Sequence, residues 1–179
     1  RETRTDRGFD RVTGFEYNKR SWLTKVTRPD PDGAGAATSP ITQIAYNFRG
    51  DQTGVTDPLM RVTSYAYDDE QRLVSRTDPD PDGTGPLLSP QTSWSYNLND
   101  WLTSSTDPVG AVTGMQYDFL GRLLTQTDPD PDGLGALLSP VTNYAYNMNG
   151  FRGVTNAMSG VVVYDRDNRG RVTGLTDSA

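Results

Sequence analysis

TGMQYDFLGRLLTQTD, residues Thr113–Asp128, decides how the rest of the chain is read. Up to Tyr117 it alternates with period two, the side-chain repeat of a β-strand. Thr113, Met115 and Tyr117 fall on one face, Gly114 and Gln116 on the other. Asp118 to Arg122 then reads as a turn: Asp accepts hydrogen bonds from nearby backbone and Gly121 supplies positive φ. A second strand runs from Leu123 to Thr127. Asp128-Pro129 ends it, since proline cannot continue a central strand. The stretch is one β-hairpin.

The hairpin recurs. Tyr followed by Asp or Asn stands at Tyr17, Tyr46, Tyr67, Tyr96, Tyr117, Tyr146 and Tyr164, spaced 29, 21, 29, 21, 29 and 18 residues apart. Alternating 29- and 21-residue units make a 50-residue super-repeat, with copies at 17–66, 67–116 and 117–166. The same face recurs as Thr63, Tyr65 and Tyr67, as Thr92, Trp94 and Tyr96, and as Thr142, Tyr144 and Tyr146. The second strands carry Leu23, Leu73, Leu102, Leu123 and Val172 in matching places, with Gln52 the exception. Residues 1–179 are therefore expected to form one all-β tandem hairpin array of about fourteen short strands, continuing into a longer chain. No hairpin can bury its apolar face alone, so neighbours should bury it jointly. The tyrosines are expected to pack on that face, each hydroxyl reaching a partner at the rim. Unpaired edge strands would favour association with adjoining repeats or further copies of the chain.

The composition excludes much. With no His and no Cys there is no His-dependent triad, thiol nucleophile, zinc finger or disulfide. A net charge of −6 without a basic cluster argues against nucleic acid, and no apolar run is long enough to span a membrane as a helix. Asp is abundant, but every Asp that the motifs single out belongs to a repeated turn, whereas catalytic groups usually occur once in a concave site. No catalytic residue and no enzyme activity are expected.

The 29-residue units carry an insert of eight residues, seen in PDPDGTGPLLSPQTSWSYN (79–97) and PDPDGLGALLSPVTNYAYN (129–147). Asp78, Asp80 and Asp82 before Gly83 and Gly85, and Asp128, Asp130 and Asp132 before Gly133 and Gly135, fit a calcium-loop pattern. The first copy keeps only Asp30 and Asp32, with Arg28 in the leading place. Ser89 and Ser139 stand where a closing carboxylate belongs, and proline spreads the preceding acids into extended backbone. A stiff, solvated acidic loop is the favoured reading, with no cofactor; calcium is the alternative. Ser39, Ser89 and Ser139, each before Pro, restart the strand, with an O-linked glycan the other reading. Arg72, Arg122 and Arg171 recur in register and suggest ion pairs with Asp residues of neighbouring hairpins. Trp22 and Trp101 are the aromatics whose exposure bears on glycan stacking.

TGMQYDFLGRLLTQTD and VVVYDRDNRGRVTGLTD resemble the YD repeat, also called the RHS (rearrangement hot spot) repeat. Tyr117, Asp118, Gly121, Arg122, Thr127, Asp128 and Pro129 match that pattern, as do Tyr164, Asp165, Gly170 and Arg171. The resemblance implies a spiralling strip of β-hairpins, often closed into a hollow shell around a toxin domain, in a large secreted or surface-exposed bacterial protein. It implies a structural, non-enzymatic role: an extracellular filament or shell wall. The near-uniform period favours the filament, because equal steps generate a helix without a natural end. The alternatives are the wall of a toxin-encapsulating cocoon, with an encapsulated polypeptide as partner, and an adhesin-like module binding calcium through its acidic loops or a surface glycan through exposed aromatics.

Overall fold

The computed structural model describes residues 2–6, 9–33, 36–133, 135–148 and 150–178, with side chains from residue 12 onward. All of the regular structure described is β. The chain divides into two compact units, residues 1–91 and 92–179. The first contains β1 (Glu2–Asp6), β2 (Phe9–Tyr17), β3 (Leu23–Thr27), β4 (Ile41–Tyr46), β5 (Gln52–Thr56), β6 (Val62–Tyr67) and β7 (Leu73–Thr77). The second contains β8 (Gln91–Tyr96), which begins at the boundary, β9 (Leu102–Thr106), β10 (Val112–Tyr117), β11 (Leu123–Thr127), β12 (Val141–Asn147), β13 (Gly150–Thr155), β14 (Val161–Arg166) and β15 (Val172–Ser178). Within each unit every strand pairs antiparallel with its neighbours in sequence, so each unit is a meander.

The expected alternation is present. In β4 and β6, Thr42, Ile44 and Tyr46, and Thr63, Tyr65 and Tyr67, are half-buried, while the residues between them are exposed. Register explains the apolar residue of each second strand. It lies directly opposite the strand-ending tyrosine, as Leu23 does to Tyr17, Leu73 to Tyr67, Leu102 to Tyr96 and Leu123 to Tyr117, with Gln52 opposite Tyr46. A β-bulge sits at each of these pairs, which adds a residue and increases local twist.

One expectation needs correcting. The tyrosine face was to be buried jointly by neighbouring hairpins, yet no described side chain is fully buried. Within each unit the described strands form a single layer, in which hairpins side by side shield one another only laterally.

Candidate functional site

The residues that define the repeat act first on their own turns. Asp118 accepts the backbone N–H groups of Leu120 (2.9 Å) and Arg122 (3.0 Å) on one carboxylate oxygen. Its own N–H donates to the Arg122 carbonyl, and the Gly121 N–H donates to the Asp118 carbonyl. Asn18, Asn47, Asp57, Asp68, Asn97, Asp107, Asn156 and Asp167 build the same turn. The Thr-Asp-Pro turns and the Tyr-Asp turns are thus one device, used on both sides of the meander. Asn serves where Asp is absent because the cap needs only one side-chain oxygen. The residue three places after the cap is left-handed throughout: Gly50, Gly110, Gly121 and Gly170, but also Ser21, Met60, Gln71, Asp100 and Ser159. This is a type I turn closed by a left-handed residue, a common hairpin connection.

Where the residue four places on is an arginine, the second oxygen of an Asp cap takes it. Asp57 pairs with Arg61, Asp68 with Arg72, Asp118 with Arg122 and Asp167 with Arg171, at 2.6–2.7 Å. The expected ladder of ion pairs between hairpins is corrected here: the carboxylates facing Arg122 and Arg171 belong to their own turns. The turn places the guanidinium beside its own cap before it can reach further. Arg122 meets the next hairpin through a ring instead, lying 4.6 Å from the centre of Tyr146. The Arg61 side chain, then the N–H groups of Arg61 and Leu59, hold Asp57 below the usual carboxylate range against a desolvation cost. Arg171 does the same for Asp167, through its side chain and then its N–H.

The tyrosines act between hairpins. The Tyr46 hydroxyl donates to the Leu23 carbonyl of the preceding hairpin at 2.9 Å, and the Tyr67 hydroxyl to the Gln52 carbonyl at 3.0 Å. Burial pushes the Tyr67 phenol up, with Asp51 and Tyr65 adding to the shift. Trp22 stacks on Tyr46 at 5.4 Å and Trp101 on Tyr117 at 5.5 Å. Both tryptophans are half-buried, each covering the turn glycine of the following hairpin. A Cβ on Gly121 would stand 2.9 Å from the Trp101 ring. Further links run between turns: the Arg20 guanidinium donates to the Phe48 carbonyl, Arg49 to the Asp69 carbonyl, and Gln71 to the Asp51 carboxylate.

The seventh hairpin departs from its spelling. Tyr164-Asp165 resembles the motif, but Asp167 caps the turn, accepting from Arg169 (2.9 Å) and Arg171 (3.0 Å). Arg166 sits opposite Val172 at the bulge, where the other hairpins have tyrosine. Gly170 and Arg171 therefore belong to the pair Arg166–Asp167, and Tyr164 lies two places earlier, stacked on Phe151 at 5.6 Å.

In the acidic inserts the carboxylates turn toward their own backbone. Asp80 accepts from the N–H groups of Asp82 (3.1 Å) and Gly83 (2.9 Å), and Asp82 from Leu87 at 3.2 Å. Asp130 and Asp132 accept from Asp132 and Leu137, Asp30 and Asp32 from Asp32 and Ala37. Asp78 meets Arg76 and Asp128 meets Gln126. Asp82 folds so closely over Gly85 that a Cβ there would lie 1.9 Å from its carboxylate. Asp132 treats Gly135 alike, at 1.8 Å. Each insert closes with one backbone bond, Arg28 to Pro40, Asp78 to Pro90 and Asp128 to Pro140, so it is an enlarged form of the short turn. Among the described residues no three carboxylates are grouped to hold a metal ion.

Residues 46–84 and 96–133 match the family model described as RHS Repeat. No curated protein sequence matches the chain. Among solved structures it is similar to TcdB2-TccC3 without its hypervariable C-terminal region, with a TM-score of 0.68 and 15% identity, covering 93% of this chain and 9% of that one. It is also similar to TcdB2-TccC3 (TM-score 0.55, 15% identity, 95% and 11% covered). The Photorhabdus luminescens Tc holotoxin pore gives a TM-score of 0.52 at 16% identity, with 95% and 10% covered. The chain spans a small fraction of each of these, and at such identity the likeness is one of fold. Repeat model, capped turns and meander agree: the segments 46–84 and 96–133 are RHS, or YD, repeats, and the rest of the chain repeats their hairpin.

Proposed function

We propose that this structural repeat chain is part of the wall of a larger secreted or cell-surface shell, of a kind that encloses a polypeptide, with adjoining repeats as its immediate partners. One observation carries the reading. The signature side chains are engaged in holding hairpins: Asp and Asn cap turns, Arg braces the caps, and Tyr hydroxyls tie one hairpin to the one before. The match to a structural repeat family supports a non-enzymatic role. The fold shared with parts of the Tc toxin proteins supports a shell over an adhesin. The 50-residue period is the observation that favours a second reading, a filament grown by equal steps. Electron microscopy of the native particle containing this chain separates them. A closed hollow body of fixed length is expected; a fibre whose helical rise matches whole super-repeats would replace the shell with the filament.

A further inference from the structure

Asp followed by Gly occurs three times in the chain, once in each acidic insert: Asp32-Gly33, Asp82-Gly83 and Asp132-Gly133. Such a pair can react with itself. The glycine backbone nitrogen attacks the side-chain carboxyl carbon of the preceding aspartic acid, water leaves, and a five-membered succinimide closes. Water then re-enters at one of the two imide carbonyls. Entry at the side-chain carbonyl restores aspartate. Entry at the main-chain carbonyl leaves isoaspartate, with the backbone routed through the former side chain. No oxidant and no net water are consumed. Glycine favours the step because it has no Cβ to hinder the approach.

The step asks two things of the fold: a carboxyl that can turn back on its own chain, and a glycine N–H not committed elsewhere. In the first respect the three inserts are alike. Asp32, Asp82 and Asp132 are all exposed, and each accepts one N–H, from Ala37 (3.1 Å), Leu87 (3.2 Å) and Leu137 (3.1 Å). In the second they differ. Gly83 donates its N–H to the Asp80 carboxylate at 2.9 Å, which ties the attacking nitrogen to a different acid. Asp30 and Asp130 hold only the N–H groups of Asp32 and Asp132. Gly33 and Gly133, at φ of 71° and 66°, find no acceptor among the described residues.

We propose that Asp32-Gly33 and Asp132-Gly133 are sites of spontaneous backbone modification, closing to the succinimide and reopening in part as isoaspartate, and that Asp80 shields Asp82-Gly83 from the same reaction. Isoaspartate adds a methylene to the main chain and moves the carboxylate. At position 132 it withdraws the acceptor of the Leu137 N–H, and at position 32 that of the Ala37 N–H, so each event loosens one insert and leaves the strand ladders beside it in place. The proposal concerns the chemistry of the inserts and is independent of what the particle encloses.

The test incubates the whole chain in mildly acidic water enriched in heavy oxygen and reads each site by peptide mapping. Every passage through the succinimide leaves one heavy oxygen, whichever way the ring reopens. Asp32 and Asp132 should gain label together, with Asp82 about fivefold slower, the cost of first releasing one net hydrogen bond. Asp80→Ala should bring Asp82 up to the rate of the other two, whereas Asp80→Asn, which keeps an acceptor oxygen, should leave it slow. Asp32 and Asp132 in the same molecules serve as references for any general loosening of the fold. In urea all three sites should label alike. Asn149-Gly150, which reacts by the same route with loss of ammonia, is read as a separate peptide. Equal labelling of the folded chain at the three sites, no labelling, or an Asp82 that stays slow in Asp80→Ala would overturn the proposal. So would the same ranking in urea, which would assign the difference to the following residues Ala34, Thr84 and Leu134 and not to the fold.

Discussion

The Arg166 guanidinium donates to the Phe151 carbonyl at 2.9 Å, the place in the hairpin where Tyr46 and Tyr67 present their hydroxyls to Leu23 and Gln52. The bond is kept although the residue type has changed. At these three positions a donor reaches back across the bulge, and the aromatic ring is a second, separable contribution.

Removing that donor isolates its share. Tyr67→Phe keeps the ring and deletes one half-buried hydroxyl, leaving the Gln52 carbonyl without its side-chain donor. The expected loss is about 1 kcal/mol, read as a lower urea midpoint at unchanged slope. Arg166→Tyr restores the common residue and should change the midpoint little, whereas Arg166→Leu should lower it.

The left-handed turn position gives a test of opposite sign at different sites. Gln71 and Ser159 hold φ of 66° and 65°, a region that favours glycine. Ser159→Gly should stabilise by about 0.5–1 kcal/mol, after the entropy lost in the unfolded chain, whereas Gln71→Gly also gives up the bond to the Asp51 carboxylate and should gain less. Gly121→Ala should do the reverse. It meets both the φ of 79° and the Trp101 ring, so the melting temperature should fall. Trp101→Leu in the same background should recover part of the loss, because it relieves the contact and leaves the backbone strain.

Much of this was legible in the sequence. The alternation before each Tyr and the 50-residue period depend on side-chain type alone; the alternation survives in full in β4, β6 and β12. The displaced cap of the seventh hairpin does not stand out as a motif, since Asp165 and Asp167 both precede Gly170. Spacing is the signal that finds it. Gly121 is three places after Asp118, and Gly170 is three after Asp167 but five after Asp165. The arginine pairs were misassigned for a different reason. Sequence shows which charges recur, but whether Arg122 reaches its own Asp118 or a neighbour depends on the turn geometry. The carbonyl acceptors Leu23 and Gln52 leave no trace in the sequence, because any residue carries a backbone oxygen.

Acid should loosen the Asp-capped turns and spare those capped by Asn. Asp57, Asp118 and Asp167 are held below the ordinary carboxylate value in the fold: Asp57 and Asp167 chiefly by the Arg61 and Arg171 side chains, and Asp118, where desolvation is the largest single effect and raises it, by the Arg122 N–H and side chain and the Leu120 N–H, which together outweigh that cost. A depressed folded-state value means the stabilisation is fully present above the unfolded value of about 3.9 and is lost as pH falls through the folded value. The chain should thus lose stability below about pH 4. Replacing Asp57, Asp118 and Asp167 with Asn keeps the capping oxygen and gives up the ion pair. The variant should be somewhat less stable at pH 7 and flatter in its response to acid. An acid limb unchanged by the three substitutions would assign it to other carboxylates.

The acidic inserts should be indifferent to calcium. Asp80 already accepts two backbone N–H groups, and Asp82 holds the Leu87 N–H while folded over Gly85. A bound ion would have to compete with these bonds and redirect carboxylates that proline keeps in extended backbone. The melting temperature of the chain should be the same in millimolar calcium and in chelator. Gly85→Ala should lower it equally in both, by displacing the Asp82 carboxylate from its amide. A rise of several degrees with calcium, abolished when Asp78, Asp80 and Asp82 become Asn, would instead make the inserts metal-binding loops. The glycines at 85 and 135 would then serve the ion's approach and not the carboxylate's fold-back.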